Sequence, residues 1–264
     1  MKGGQLLVAR LKTVALWVSM GTAVFVIYCA VLGWLGDRHR TSSASSAELG
    51  MQVKSGALCN AGHCEPALMV SGYLDEGFVT RFAATAGDQI KSAKWICIDS
   101  PGGKPSEGLV LAKFLQELGK QTCVAPIRRP DDTLQATKCA SSCAFAYAGG
   151  ARRVLADDHS LGVHRAFLND GAACIPCNYV ASPFIHWIYG AIARYELNEP
   201  AVVSRMIEKS SEYPERFDTN PFEAHWVRRA DFIGWGLGEQ SDFDSGWYVS
   251  ALLTTGLTQT IEAE

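Results

Sequence analysis

Between Ala67 and Ala148 the sequence repeats one rhythm: a short apolar run, a turn of small residues, then a stretch with helical periodicity. The runs are Ala67–Leu74, Lys94–Asp99 and Gln121–Ala125, and the stretches that follow are Glu76–Ala86, Ser106–Leu118 and Ser141–Ala148. The period shifts from that of a strand to that of a helix each time. Strands joined through helices return to the same end of a sheet and pair in parallel, so the chain reads as α/β. Ser100-Pro101-Gly102-Gly103 closes the second run, and Gly119 stops the helix before the third. Arg153–Ala156 and Ser160–His164 supply two short strands around a turn at Asp157-Asp158. Helices are expected over Pro183–Leu197, with proline in the first turn, and over Pro200–Ser210. No repeat of solenoid length is present.

The N-terminal region obeys a different rule. Val14–Leu35 holds no charged residue over 22 positions and carries Trp17, Tyr28 and Trp34 toward its ends. About 20 apolar residues span a bilayer, and the flank Gly33–Arg38 lacks the small-residue pattern of a cleavage site. One uncleaved transmembrane helix over 14–36 is expected. Lys2, Arg10 and Lys12 precede it, against Arg38 and Arg40 with Asp37 after it, which favours a cytoplasmic segment 1–13. Thr41–Ala47 is small and polar and reads as a tether within a linker over 37–58. A single domain over 59–250 and a loose tail over 251–264 complete the expected organisation.

Of nine cysteines, six fall in close pairs: Cys59/Cys64, Cys139/Cys143 and Cys174/Cys177. Short spacings and even numbers suit disulfides in an oxidising compartment. That places the main domain in the periplasm if the source is Gram-negative, with the chain a single-pass inner-membrane protein. Cys174-Ile175-Pro176-Cys177 also has the spacing of half a zinc or redox site, and unpaired thiols are a third reading. No second Cys-x-x-Cys or His-x3-His completes a metal site, so no metal is expected. The net charge of −3, with no long basic run outside the membrane flanks, argues against nucleic acid as a partner.

The chemistry is concentrated in three segments: Ile98-Asp99-Ser100-Pro101-Gly102-Gly103, Ser141-Ser142-Cys143-Ala144-Phe145 through Gly150, and Gly162-Val163-His164. A serine hydroxyl becomes a nucleophile when a base removes its proton, and the oxyanion then formed needs preorganised N–H donors. In this order and spacing the segments resemble the Clp protease and crotonase superfamily, and most closely its membrane-anchored, Clp-protease-like periplasmic proteins, over roughly Ala67 to Leu237. The resemblance implies a spiral of ββα units. It puts Ser141 in the nucleophile's place, with Ser142 as the fallback, and makes His164, 23 residues later, the general base. The oxyanion hole falls to Gly103, with Gly102, and the N–H of Ser142.

The third member of the triad departs from the pattern. Aligning Trp226 to Leu237 puts Ala224 where an aspartate is expected, with Glu223 and Asp218 close enough to substitute. Outside the motif order, Ser141 is an ordinary helix N-cap and His164 an ordinary core histidine. Cys139 or Cys143 as a thiol nucleophile is disfavoured by oxidation, and His63, His159, His186 and His225 have no comparable setting. The expected activity is peptide-bond hydrolysis through an acyl-enzyme, without a cofactor, on a peptide or protein substrate. A degenerate, non-catalytic membrane scaffold and crotonase-type acyl-thioester chemistry are the rivals. A homo-oligomer is implied by the resemblance.

Overall fold

The computed structural model describes residues 50–164, 175–213 and 224–251, with side chains from 183 in the second stretch and up to 250 in the third. The span over 14–36, Asp218, Glu223 and the side chains of Cys174 and Cys177 lie outside these residues, as does most of the tail. No described helix is long and apolar enough to cross a membrane. The chain divides into two compact units, 1–44 with 167–182, and 45–166 with 183–264. The elements below belong to the second, apart from the first turns of the helix that begins at Ile175.

The strands are β1 (Gln52–Asn60), β2 (His63–Ser71), β3 (Trp95–Asp99), β4 (Gln121–Val124), β5 (Ile127–Arg128), β6 (Leu134–Gln135), β7 (Cys139–Ala140), β8 (Arg153–Leu155), β9 (Leu161–Val163), β10 (His225–Trp226) and β11 (Tyr248–Ala251). The helices are α1 (Phe78–Ser92), α2 (Pro105–Glu117), α3 (Ser142–Ala148), α4 (Ile175–Glu196), α5 (Pro200–Glu212) and α6 (Arg229–Gly234). A large mixed sheet runs in the order β6-β5-β11-β1-β2-β3-β4-β8, and β10-β9-β7 form a smaller one. Within the large sheet, β2, β3, β4 and β8 are parallel neighbours, as the helical crossovers require.

Each of those four strands is followed by a short step into a second layer and then by a helix. After β2 the chain bridges at Leu74, after β3 at Ser100 and Gly103, after β4 through β7, and after β8 through β9. The steps touch in sequence order: Leu74 to Gly103, Ser100 to Cys139, β7 to β9, all parallel, with β10 closing the row antiparallel to β9. Helices α1 to α4 follow the four steps in turn. The pairing thus sets each second-layer segment next to the previous one.

Alternation along the strands buries both sheet faces. Leu68, Val70, Ile96 and Ile98 pack with Phe78, Phe82 and Ile90 of α1 and with Leu111 and Leu115 of α2. The opposite residues, Ala67, Met69, Trp95, Cys97 and Cys123, form a second cluster with Leu58 and Val249 of β1 and β11. Each fully buried large side chain contributes about 1.5–3 kcal/mol.

Several boundaries differ from the sequence reading. Residues 52–58, assigned to the linker, are most of β1, which pairs with both β2 and β11. The helix after the first run starts at Phe78 and continues to Ser92, past a kink at Ala86. Pro183 does not open its helix; α4 begins at Ile175 and carries the proline inside. Cys59–Cys64 and Cys139–Cys143 are within disulfide distance, and so is a pair the sequence reading did not contain, Cys97–Cys123, which face each other in register on β3 and β4.

Candidate active site

Ser141 sits at the junction between β7 and α3, and its backbone is held at φ 58°, ψ −127°. A positive φ costs a non-glycine residue of order 1–3 kcal/mol, so the surroundings must enforce it. Two main-chain hydrogen bonds do so: the Ser141 N–H donates to Gly162 O at 3.0 Å, and the Ala144 N–H donates to Ser141 O at 3.0 Å. Cys139 and Cys143 bracket the bend, two residues to either side, with Cα atoms 5.2 Å apart. The hydroxyl makes no capping hydrogen bond. Ser141 is thus not an ordinary helix cap: a strained strand-to-helix elbow presents its side chain, which is only partly buried.

Ser142 occupies a contrasting position. It is 1% exposed, and its hydroxyl is buried with no hydrogen-bond partner among the described residues. The position of Gly108 on α2 lies directly against it. Its side chain is sealed between helices, while its main-chain N–H opens the first turn of α3.

Gly102 and Gly103 lie against the elbow. A Cβ on Gly102 would sit 2.6 Å from the Ser141 Cβ, 2.6 Å from Ala140 O and 3.2 Å from the Ser142 N, and its φ is 101°. Only glycine fits there. The Gly102 N–H donates to the Ser100 hydroxyl at 3.1 Å, and its carbonyl accepts from Leu74 N–H at 2.8 Å. Lys104 N–H donates to Leu74 O at 2.8 Å. Because the residues flanking Gly103 make those bonds in a parallel bridge, the N–H of Gly103 points away from the Leu74 segment. Of the two glycines, Gly103 has the N–H available for an oxyanion.

His164 follows the last residue of β9 and is partly buried. β7 and β9 are parallel neighbours with Ala140 opposite Gly162, so Ser141 and His164 emerge from the same ends of adjacent strands. Adjacent strands run about 4.8 Å apart. On the other side of β9, β10 pairs His225 with Val163 and Trp226 with Gly162. One step further along that register sets Ala224 opposite His164. Ala224, the residue just before β10, brings only a methyl group to that position and is 7% exposed. Glu223 and Asp218 are outside the described residues.

Alternation puts Lys138, Ala140, Gly162, His164, Ala224 and Trp226 on one face of the small sheet. The Lys138 ammonium lies 5.2 Å from the centroid of the Trp226 ring. Asp99 accepts the Lys138 N–H at 2.9 Å, and burial raises its carboxyl above the usual range, opposed by that hydrogen bond. His225 faces the other way. It stacks on Tyr213 at 3.8 Å between centroids and contacts Asp231 at 3.2 Å. Sequence reasoning missed both features: Lys138 and Trp226 meet only through the strand pairing, and His225 finds Asp231 only because α6 turns back. No group of three or more candidate metal ligands is present among the described residues.

No family model matches the chain, and no curated protein matches it. Among solved structures, the chain resembles the 1510-N membrane-bound stomatin-specific protease. A serine-to-alanine mutant matches at 17% identity over 61% of this chain and 69% of that one, with a TM-score of 0.34. A lysine-to-alanine mutant in complex with a substrate peptide matches at 17% identity over 61% and 65%, with a TM-score of 0.35. The functional reading rests on the geometry of the elbow rather than on this likeness.

Proposed function

We propose that this chain is a membrane-anchored serine peptidase with a Clp-protease/crotonase-like spiral fold. Ser141 is the nucleophile and His164 its general base. His164 accepts the Ser141 proton as the hydroxyl attacks a peptide carbonyl, the N–H groups of Gly103 and Ser142 receive the oxyanion, and His164 returns the proton to the leaving amine. Water, deprotonated by the same imidazole, then releases the acyl group. The observation that carries this reading is the elbow: a partly exposed serine held at positive φ, pressed against a glycine turn and beside the strand that ends in histidine. The Val14–Leu35 segment is the anchor, with the N-terminus cytoplasmic and the catalytic unit periplasmic.

The test is cleavage of a fluorogenic peptide library by the purified full chain and by its Ser141→Ala variant. Cleavage by the first and none by the second is expected. Equal cleavage by both refutes the assignment.

Ala224 favours a second reading, a scaffold that kept the fold and lost turnover, because removing the orienting carboxylate of a triad costs about 10⁴ in turnover. Ala224→Asp separates the two. An active dyad gains rate when a carboxylate is placed opposite His164, whereas a scaffold that lacks a competent Ser141–His164 pair gains none.

A further inference from the structure

α4 is apolar on two faces. His186, Gly190, Ala193 and, one residue past its end, Leu197 turn inward. On the opposite side Phe184, Trp187, Ile188, Ala191 and Tyr195 follow one another at helical spacing. Phe184 is 61% exposed, Trp187 63% and Tyr195 88%, and the Phe184 and Trp187 rings stack at 5.8 Å. No charged residue occurs in the helix from Ile175 to Ala193, and Arg194 is the first. A helix apolar all round belongs in a protein interior or in lipid, and a contiguous exposed apolar stripe marks a docking surface.

The occupant follows from what precedes the described chain. Between Leu35 and Gly50 lie the 14 residues 36–49. Fully extended they reach at most about 50 Å, which is close to the diameter of a unit of this size. A unit on that tether cannot leave the bilayer surface, and any apolar face it exposes meets lipid at high local concentration. The composition of the stripe suits that partner: Trp and Tyr place amphipathic rings at the headgroup boundary, and Arg194 can carry its guanidinium to the phosphates. We propose that the Phe184–Trp187–Tyr195 face of α4 docks on the phospholipid surface of the membrane that holds Val14–Leu35. The proposal rests on Val14–Leu35 being an anchor, which belongs to the reading above, and is independent of Ser141. Docked in this way, α4 lies in the interface plane with its outer stripe among the headgroups and upper acyl chains.

The test uses the full chain in vesicles of phosphatidylcholine and phosphatidylglycerol. Flotation comes first. The photocrosslinker p-benzoylphenylalanine is then placed at Trp187, at Tyr195 or, as a control, at Leu134, an exposed apolar residue on β6. Irradiation and mass spectrometry should find lipid adducts at 187 and 195 about tenfold above those at 134. A chain that does not float overturns the anchor and the docking together. A chain that floats but gives no excess of lipid adducts, or gives crosslinks to a second copy instead, overturns the docking alone.

Discussion

Replacing Gly102 by alanine would put a methyl carbon 2.6 Å from both the Ser141 Cβ and Ala140 O, at a residue whose φ is 101°. Two costs add. The backbone conformation costs an alanine about 1–3 kcal/mol, and the overpacking costs about 1–3 kcal/mol more. Neither neighbour can yield cheaply: Ala140 O belongs to backbone, and Ser141 is fixed through its N–H to Gly162 O. A loss of about 4 kcal/mol corresponds to a melting midpoint lower by roughly 8–16 °C for a unit of this length. Any Gly102→Ala protein that folds should react more slowly with a serine-directed fluorophosphonate probe, by about a hundredfold, because relieving the contact moves the hydroxyl by about 1 Å. Gly87→Ala is the control. It lies in α1 with nothing within 4 Å of its added carbon, and it should raise the midpoint slightly, since alanine is favoured over glycine in a helix by about 0.5–1 kcal/mol. Thermal denaturation followed by circular dichroism, with probe labelling well below the transition, reads both effects. A Gly102→Ala protein with an unchanged midpoint and labelling rate refutes the packing of the glycine turn against the elbow.

Three further outcomes follow from the same geometry. Ser142→Ala removes a buried hydroxyl that has no described partner, so denaturant unfolding should show a stability equal to or about 1 kcal/mol above the parent, with labelling retained. Removing the Cys139–Cys143 bridge with paired alanines should cost about 2 kcal/mol in the same assay, the loop-closure value for so short a ring, and lower the labelling rate by loosening the elbow. Asp99 has its carboxyl raised by burial, so the folded state holds that proton more tightly than the unfolded one, and stability falls as pH rises from the unfolded value through the folded value. Asp99→Asn, which keeps the acceptor for Lys138, should therefore gain in melting midpoint over the parent at neutral pH, and the gain should shrink as pH falls through the acidic range.

The rhythm of runs, turns and helices was legible because its signals are local. The Ser100–Gly103 turn breaks β3 from α2, and the small residues after Ser141 read as a helix fit for burial. Features that depend on pairing were not legible. β1 contains Ser55 and Gly56 and looks like linker, yet Gly56 is a strand residue whose missing side chain leaves room for Ser250 O, 2.7 Å from where its Cβ would be. Cys97 and Cys123 each read as core within an apolar run, and only the parallel register brings them opposite one another. β5, β6 and β10 are two residues long, too short for any periodicity. Pro183 pointed to a helix start because proline favours the first turn, whereas here it lies within a helix already under way from Ile175. At the site, the motif order singled out Ser141 and His164, and the notable departure, Ala224, gained its meaning once β10 set it opposite the imidazole.

The most direct test is to treat the full chain with a fluorophosphonate probe and locate the adduct by peptide mass spectrometry. A single adduct on Ser141, lost in Ser141→Ala and strongly reduced in His164→Ala, is the result expected of an activated hydroxyl at this elbow. An unmodified Ser141, or an adduct that persists in both variants, would contradict it.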